Sequence, residues 1–171
     1  MDSKDRRSVK VVNVTIEYVI LIPLLFTQVI IFPFVASTIT SNWQNSQRDI
    51  ELQDTADHLA STIQQLYLTI NRDEIWVGTI TQESPIPVTV GSYPYAATGL
   101  LSSASEGSTK ILTVIITLED VGNTATAIAV LGPNTEWTES TLSSTSPDAS
   151  IKVQKLDDPN HTLVFSFGGS A

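Results

Sequence analysis

Residues 18–36 of the chain read YVILIPLLFTQVIIFPFVA. It contains no charged side chain, and Thr27 and Gln28 are its only clearly polar residues. As an α-helix it would extend roughly 28 Å, close to the thickness of the hydrocarbon core of a membrane. Buried helices of soluble proteins are usually shorter and amphipathic. The stretch therefore predicts a transmembrane helix, which we place over residues 13–36.

The charges on either side of this span predict its orientation. Residues 37–47, just after the span, carry no charge, whereas the leader over residues 1–12 is basic, with Lys4, Arg6, Arg7 and Lys10. The positive-inside rule then places the leader in the cytoplasm and the rest of the chain outside the cell membrane. The alternative is a secretory signal peptide cleaved near the small residues 36–38, although its apolar region would be unusually long.

The composition after the span excludes several kinds of function. Residues 37–171 hold five basic residues and fifteen acidic ones, within a chain of net charge −9. Such a surface repels phosphate backbones, so nucleic-acid partners are excluded. The chain has no cysteine, which excludes disulfides, thiolate metal sites and cysteine nucleophiles. Its 19 Ser and 21 Thr supply the polar surface instead.

The apolar pattern over residues 37–71 predicts an amphipathic stalk helix. Its apolar residues follow a 4-3-4-3-4 spacing that places them on one helix face. This stalk seam consists of Leu52, Ala56, Leu59, Ile63, Leu66 and Ile70. The seam either packs on the chain's own following domain or packs against the same helix in neighbouring copies, and the spacing is compatible with both.

From residue 72 onward the apolar period changes to two, which predicts a β domain over residues 72–171. Strands are predicted over 74–82, 109–120, 124–132, 149–156 and 161–168, with an edge strand or crossing in the proline-containing segment SPIPVTV. The segment 109–120 is nearly continuous in β-branched residues, which is typical of a central strand. Residues 83–108 and 133–148 are predicted as loops. The expected fold class is α+β, with a long helix followed by an antiparallel, sandwich-like domain.

The residue types give little support for catalysis. The two histidines, His58 and His161, have no second histidine at ligand spacing, so a metal site and an enzymatic role are not expected. Asp148, Asp157 and Asp158 lack the alternating pattern of a Ca²⁺ loop and are interpreted as solvated turn residues. No cofactor is implied. Asn160, His161 and Thr162 form an N-glycosylation sequon on a predicted external turn.

One short segment carries a resemblance to a known family. The segment TIEYVILIPLL, residues 15–25, has Glu17 followed six residues later by Pro23. It resembles the start of TadE-like pseudopilins and of archaeal proteins with class III, prepilin-type signal peptides. The resemblance implies that a prepilin peptidase cuts between Val12 and Asn13, leaving Glu17 as the fifth residue. The family commonly has glycine or another small residue where this chain has Val12, so retention of the leader is the alternative.

The resemblance implies a pilin-like or pseudopilin-like structural subunit of the cell surface. Its partners would be membrane lipid, further pilin-like subunits and the peptidase. The Glu17 carboxylate would neutralise the N-terminal amine of a neighbouring copy. The alternative is a monomeric, single-pass anchored binding or adhesion module, which needs neither cleavage nor neighbours. A mature chain that begins at Asn13 would favour the first hypothesis.

Overall fold

The computed structural model describes residues 3–83, 86–103 and 109–169, with side chains from residue 18 onward. The chain divides into two units, Met1–Asn45 and Ser46–Ala171. A single helix, α1, extends over Ser3–Ile70 and contains both Pro23 and Pro33. It ends one residue before the predicted end, where the backbone N–H of Asn71 donates to the Tyr67 carbonyl at 2.9 Å.

The strands after the helix form two four-stranded sheets. The first sheet has the order β1-β7-β8-β5 and the second β4-β3-β2-β6. The strands are β1 Gly78–Glu83, β2 Tyr95–Ser103, β3 Lys110–Leu118, β4 Thr124–Leu131, β5 Thr135–Trp137, β6 Thr141–Ser143, β7 Ser150–Lys155 and β8 Leu163–Gly168. The α+β class, with a long helix followed by a mostly antiparallel β domain, is confirmed. The β-branched strand β3 lies inside the second sheet, as predicted.

Strand β2 corrects the prediction of a loop over residues 83–108. It pairs with β3 along its whole length, from Tyr95 opposite Leu118 to Ser103 opposite Lys110. Its inward side includes Gly99, where an added Cβ would overlap the Trp137 ring. The residue at that position must be small because Trp137 fills the space. The alternation of large apolar residues that marks a strand is therefore lost.

Two further predictions about the β domain are wrong. The predicted loop over residues 133–148 contains the short strands β5 and β6, and β5 adds one parallel pair, with β8, to the antiparallel pairs of the other strands. The first strand begins at Gly78 rather than at residue 74, and Trp76 before it is 68% exposed. Three-residue strands have too few positions for a period of two to be recognised. The pairing direction depends on the chain topology rather than on local pattern.

The core of the domain is shared by the helix and both sheets. Tyr95 and Phe165 are fully buried, and Trp137 contacts Phe167 edge-on with ring centroids 4.9 Å apart. The Tyr95 hydroxyl donates to the Pro87 carbonyl at 2.7 Å. Burial raises the pKa of Tyr95, so this hydroxyl stays a donor at ordinary pH. The bond connects the proline-containing segment before β2 to the sheet.

Candidate anchoring and assembly site

The apolar stretch of helix α1 is exposed throughout. Every residue from 18 to 36 is exposed, and Val29, Phe32 and Phe34 are 71%, 76% and 75% exposed. An apolar surface of this kind is unfavourable in water and requires a lipid or protein environment. The helix is long and apolar enough to cross a membrane, and none of the apolar window is buried. This segment is the candidate membrane span.

Threonine hydroxyls in and just after this stretch are satisfied within the helix. The Thr27 hydroxyl donates to the Pro23 carbonyl at 2.8 Å, and the Thr38 hydroxyl donates to the Phe34 carbonyl at 3.0 Å. In lipid a polar group without a partner is costly, so hydroxyls that bond to the backbone one turn earlier suit a membrane environment. The helix passes through Pro23 and Pro33, which spanning helices tolerate.

The residues that carry the family resemblance are only partly described. Val12, Asn13 and Glu17 belong to the backbone of helix α1, but their side chains lie outside the described residues. Pro23 is described and lies within the exposed apolar stretch. The proposed cleavage point and the partner of Glu17 therefore stay predictions from sequence.

The stalk seam lies in the core of the chain's own domain. All its residues are buried, with exposures of 5% or less: Leu52, Ala56, Leu59, Ile63, Leu66 and Ile70. They belong to the same cluster as the buried residues of both sheets. Of the two packing partners that the spacing allowed, the structure shows the intramolecular one. The seam is therefore not available to the helix of a neighbouring copy.

Contacts with helix α1 follow strand β4 and the residues flanking it. Asn123 donates to the Asp49 carboxylate at 2.7 Å, and Gln53 donates to the Thr126 carbonyl at 3.0 Å. Beyond the other end of β4, Asn134 donates to the side-chain oxygen of Asn71 at 3.2 Å. The bonding partners therefore follow one another in the same order along the helix and along the strand. Since β4 is an edge strand, the bond from Gln53 occupies a backbone carbonyl, that of Thr126, on a strand that has a neighbour on one side only.

Lys155 holds the C-terminal end of helix α1. It is only 4% exposed, at the end of β7, and its ammonium donates to the carbonyls of Ile70 at 3.3 Å and Arg72 at 3.1 Å. The last carbonyls of a helix have no partner within the helix, and a cation is favourable there. Sequence reasoning missed this role. The signal was the alternation in β7, which places Lys155 on the same inward side as Ile151 and Val153.

A second link joins the helix to the turn before β2. The Glu51 carboxylate accepts a hydrogen bond from the Gly91 N–H at 3.2 Å, and the Arg48 guanidinium lies 4.7 Å from the centre of the Tyr93 ring. Gly91 has φ +54°, a conformation that glycine adopts without strain. The turn is thus attached to the helix by a charge-assisted bond and a cation–π contact.

The sequon lies on the turn between β7 and β8. Asn160 is exposed, but Thr162 is buried, and its hydroxyl donates to the Asp158 carboxylate at 2.6 Å. The Thr162 N–H also donates to Asp158 at 2.7 Å. These two bonds lower the pKa of Asp158. The sequon hydroxyl is engaged in the folded turn, so a glycan on Asn160 would have to be added before the turn forms.

The histidines and acids do not assemble into a reactive centre within the described residues. His58 is exposed on the helix, while His161 contacts the exposed Trp76 ring with centroids 5.4 Å apart. No group of three or more His, Asp or Glu side chains that could hold a metal occurs among the described residues. A polar cavity of about 470 Å³ adjoins the sequon turn; it is lined by Lys110, Pro133, Asn134, Glu136, Asn160 and Thr162.

Comparison with known proteins returned no match to a family model, a curated protein or a solved structure. The function of the chain is therefore inferred from its own residues and geometry.

Proposed function

We propose that this chain is a non-enzymatic, pilin-like or pseudopilin-like structural subunit of the cell surface. Residues 18–36 hold it in the membrane, with the basic leader in the cytoplasm and the β domain outside. The observation that carries the proposal is the contrast within helix α1. Its apolar stretch at 18–36 is exposed along its whole length, whereas the seam from Leu52 to Ile70 is buried in the β domain.

The assembly step would occur along the membrane span. After cleavage between Val12 and Asn13, a free amine would lie close in sequence to Glu17. A carboxylate and an ammonium near the bilayer each cost free energy unless they are paired. The Glu17 carboxylate of one copy would neutralise the amine of its neighbour, and the exposed apolar surfaces of the spans would pack together or against lipid.

The burial of the stalk seam limits which surfaces assembly can use. Contacts between copies would involve the exposed helix surface of residues 18–45 and the outside of the β domain. The seam residues Leu59 and Ile63 are 0% exposed and have no surface to offer. The β domain thus does not need a neighbour to complete its core.

The test is to determine the N-terminus of the protein isolated from membranes and to compare oligomers of Glu17→Ala with those of the unchanged protein. The proposal expects a mature chain that begins at Asn13, and it expects Glu17→Ala to insert but not to oligomerise. Asp54→Ala, an exposed acid on the same helix, serves as the control and should oligomerise normally. A chain that retains its leader and whose oligomers do not depend on Glu17 would contradict the proposal.

A second candidate function is that of a monomeric anchored binding module. The observation that favours it is the polar cavity of about 470 Å³, whose lining combines the Lys110 ammonium, the Glu136 carboxylate and the amides of Asn134 and Asn160. Such groups can orient a polar ligand. A protein that keeps its leader and stays monomeric in mild detergent would favour this candidate.

A further inference from the structure

The outer face of the second sheet carries no charged residue. We define this neutral face by the outward positions of its strands, four each from β2, β3 and β4 and two from β6. These positions are Ala96, Thr98, Leu100, Ser102, Ile111, Thr113, Ile115, Thr117, Thr124, Thr126, Ile128, Val130, Thr141 and Ser143. They are all aliphatic or hydroxyl side chains, in a chain of net charge −9.

The centre of the neutral face exposes large aliphatic side chains. Leu100 and Ile128 lie opposite Thr113 on its two sides and are 63% and 62% exposed. In the neighbouring row, Val130 is 48% exposed and pairs with Ile111. Single exposed aliphatic residues are common on protein surfaces, but neighbouring ones on an uncharged surface mark an interaction site.

The first sheet shows that the absence of charge is not general. On its outer face, Thr81 lies opposite Lys152, Glu83 lies opposite Ser150, and Glu136 lies opposite Val164. Lys152, Glu83 and Glu136 are exposed. The same domain thus has one sheet face with charges of both signs and one with none. Protein interfaces are depleted of charge at their centres. Of the two outer faces, only the neutral face has the composition of an interface centre.

We propose that the neutral face binds the neutral face of a second copy of this chain. Residues 37–171 carry fifteen acids against five bases, so the net negative charges of two copies repel each other. The neutral face allows close approach without that repulsion. A two-fold axis lets one self-complementary surface form both halves of the contact. The proposal rests on the assembly of copies in the proposed function and adds a contact outside the membrane.

The geometry favours face-to-face packing over edge-to-edge pairing. The long edge strand β4 already accepts a hydrogen bond from Gln53 of helix α1 at its Thr126 carbonyl, which obstructs strand addition. Sheets that pack face to face lie about 10 Å apart with interdigitating side chains. Leu100 and Ile128 of one copy would then fill the space above the threonine-rich rows of the other.

The absence of cysteine allows a direct test with single-cysteine variants of the full chain. Leu100→Cys reports on the neutral face, and Gln154→Cys is the control on an inner strand of the first sheet, exposed on its outer face. Trp43→Cys, 63% exposed on the helix, reports separately on association through the helix. Membranes from producing cells are treated with a bis-maleimide whose spacer is about 10 Å, the distance expected between packed sheets.

The proposal expects Leu100→Cys to form covalent dimers at a yield about tenfold above that of Gln154→Cys. Adding Ile128→Lys to the Leu100→Cys variant should remove these dimers, because two like charges would meet at the interface. Thr81→Lys on the first sheet should leave the yield unchanged. Equal yields for Leu100→Cys and Gln154→Cys, or cross-links of Leu100→Cys only to other proteins, would overturn the inference.

The helix variant separates the two proposals. Dimers from Trp43→Cys without dimers from Leu100→Cys would overturn the neutral-face contact and leave assembly through the helix intact. Dimers from Leu100→Cys alone would support the neutral-face contact and count against assembly through the helix. Thermal unfolding of each variant, followed by circular dichroism, verifies that the β domain is folded.

Discussion

Helix α1 contains two apolar regions that differ in how their residues are spaced. Between residues 18 and 36 the run of apolar residues is interrupted only by Thr27 and Gln28, and every one is exposed. Between Leu52 and Ile70 the six seam residues recur at a 4-3-4-3-4 spacing and are all buried, whereas Leu68 on another side of the helix is 63% exposed. An environment that is apolar on all sides favours the first pattern, whereas packing against one surface favours the second. The spacing of apolar residues thus distinguishes a membrane segment from a core segment within one helix.

Threonine hydroxyls bond to carbonyls of their own helix in both regions, including Thr55 and Thr62 beside the seam, but other polar residues differ. In and near the span, Thr27 and Thr38 bond to carbonyls of their own helix. Beside the seam, Asp49 and Gln53 bond to groups beyond β3, at Asn123 and Thr126. A side chain in lipid has only its own backbone as a partner, while one beside a sheet can bond to it. Substitutions in the two regions should therefore affect different properties.

The largest effect is expected from charges placed in the seam. Leu59→Asp with Ile63→Asp would bury two carboxylates at positions that are 0% exposed. Burying an unpaired charge costs several kcal/mol, comparable with a typical total stability of about 5–15 kcal/mol. The β domain should therefore unfold. Circular dichroism and limited proteolysis of the full chain in detergent would measure the loss.

Ser61→Asp with Gln65→Asp is the matched control for the seam. These positions have the same spacing on the exposed side of the same helix segment. They should leave the melting temperature nearly unchanged, since substitutions at exposed positions usually change stability by about 0.5 kcal/mol or less. Equal destabilisation by the two pairs would mean that the seam does not form the core contact described here.

Charges placed in the span should weaken membrane residence without unfolding the domain. Leu25→Lys with Val29→Lys would put two charges near the middle of the apolar stretch, at about 2.5–3.5 kcal/mol each on insertion scales. The fraction of protein that resists alkaline extraction from membranes should fall. Leu25→Val with Val29→Leu is the control, and the melting temperature of the β domain should stay the same in both variants.

A fall in melting temperature equal to that of the seam variant would contradict this separation. It would mean that the apolar stretch contributes to the stability of the β domain. Unchanged extraction would mean that residues 18–36 are not the principal membrane contact.

The same contrast explains which parts of the fold could be predicted from sequence. The span, the seam and strand β3 carry their patterns in consecutive residues, so local periodicity identifies them. Strand β2 does not, because Gly99 is required by the Trp137 ring, which comes from a strand of the other sheet. The parallel pairing of β5 with β8 depends likewise on residues far apart in sequence. Strand β2 and the parallel pair could not be predicted because they depend on contacts between segments that are distant in sequence.

The candidate site shows the same limit. Glu17 and Pro23 are six residues apart in one segment, so the sequence alone is enough to identify the pair. The neutral face becomes visible only when the register aligns Leu100, Thr113 and Ile128 across three strands. The role of Lys155 needed the position of the helix end. Sites made within one segment are readable from sequence, whereas sites made across strands require the fold.

A smaller effect is expected at the junction between the helix and the first sheet. Lys155→Met keeps most of the apolar stem but removes the ammonium that donates to the carbonyls of Ile70 and Arg72. Losing hydrogen bonds from a charged donor should cost about 2 kcal/mol. Chemical denaturation would measure this difference. Lys152→Met is the control on the same strand, where the side chain is exposed, and it should have little effect.

An equal loss for Lys152→Met and Lys155→Met would show that the methionine, rather than the lost contact with the helix end, is responsible. A negligible loss for Lys155→Met would mean that water replaces the ammonium at these carbonyls without cost.

The smallest effect is expected from Asp158, at the turn where the sequon lies. Its carboxylate accepts bonds from the Thr162 hydroxyl and N–H, and these bonds lower the pKa of Asp158 below its usual value. A pKa that is lower in the folded state means stabilisation above the unfolded pKa of about 4, lost as the pH falls through the folded pKa. Asp158→Asn should therefore lower the melting temperature at pH 7 and make little difference near pH 2. Asp157→Asn, an exposed neighbour, should show no such pH dependence.

The prediction would be contradicted if Asp158→Asn lowered the melting temperature by the same amount at pH 7 and near pH 2. In that case the two bonds from Thr162 would not depend on the charge of the Asp158 carboxylate.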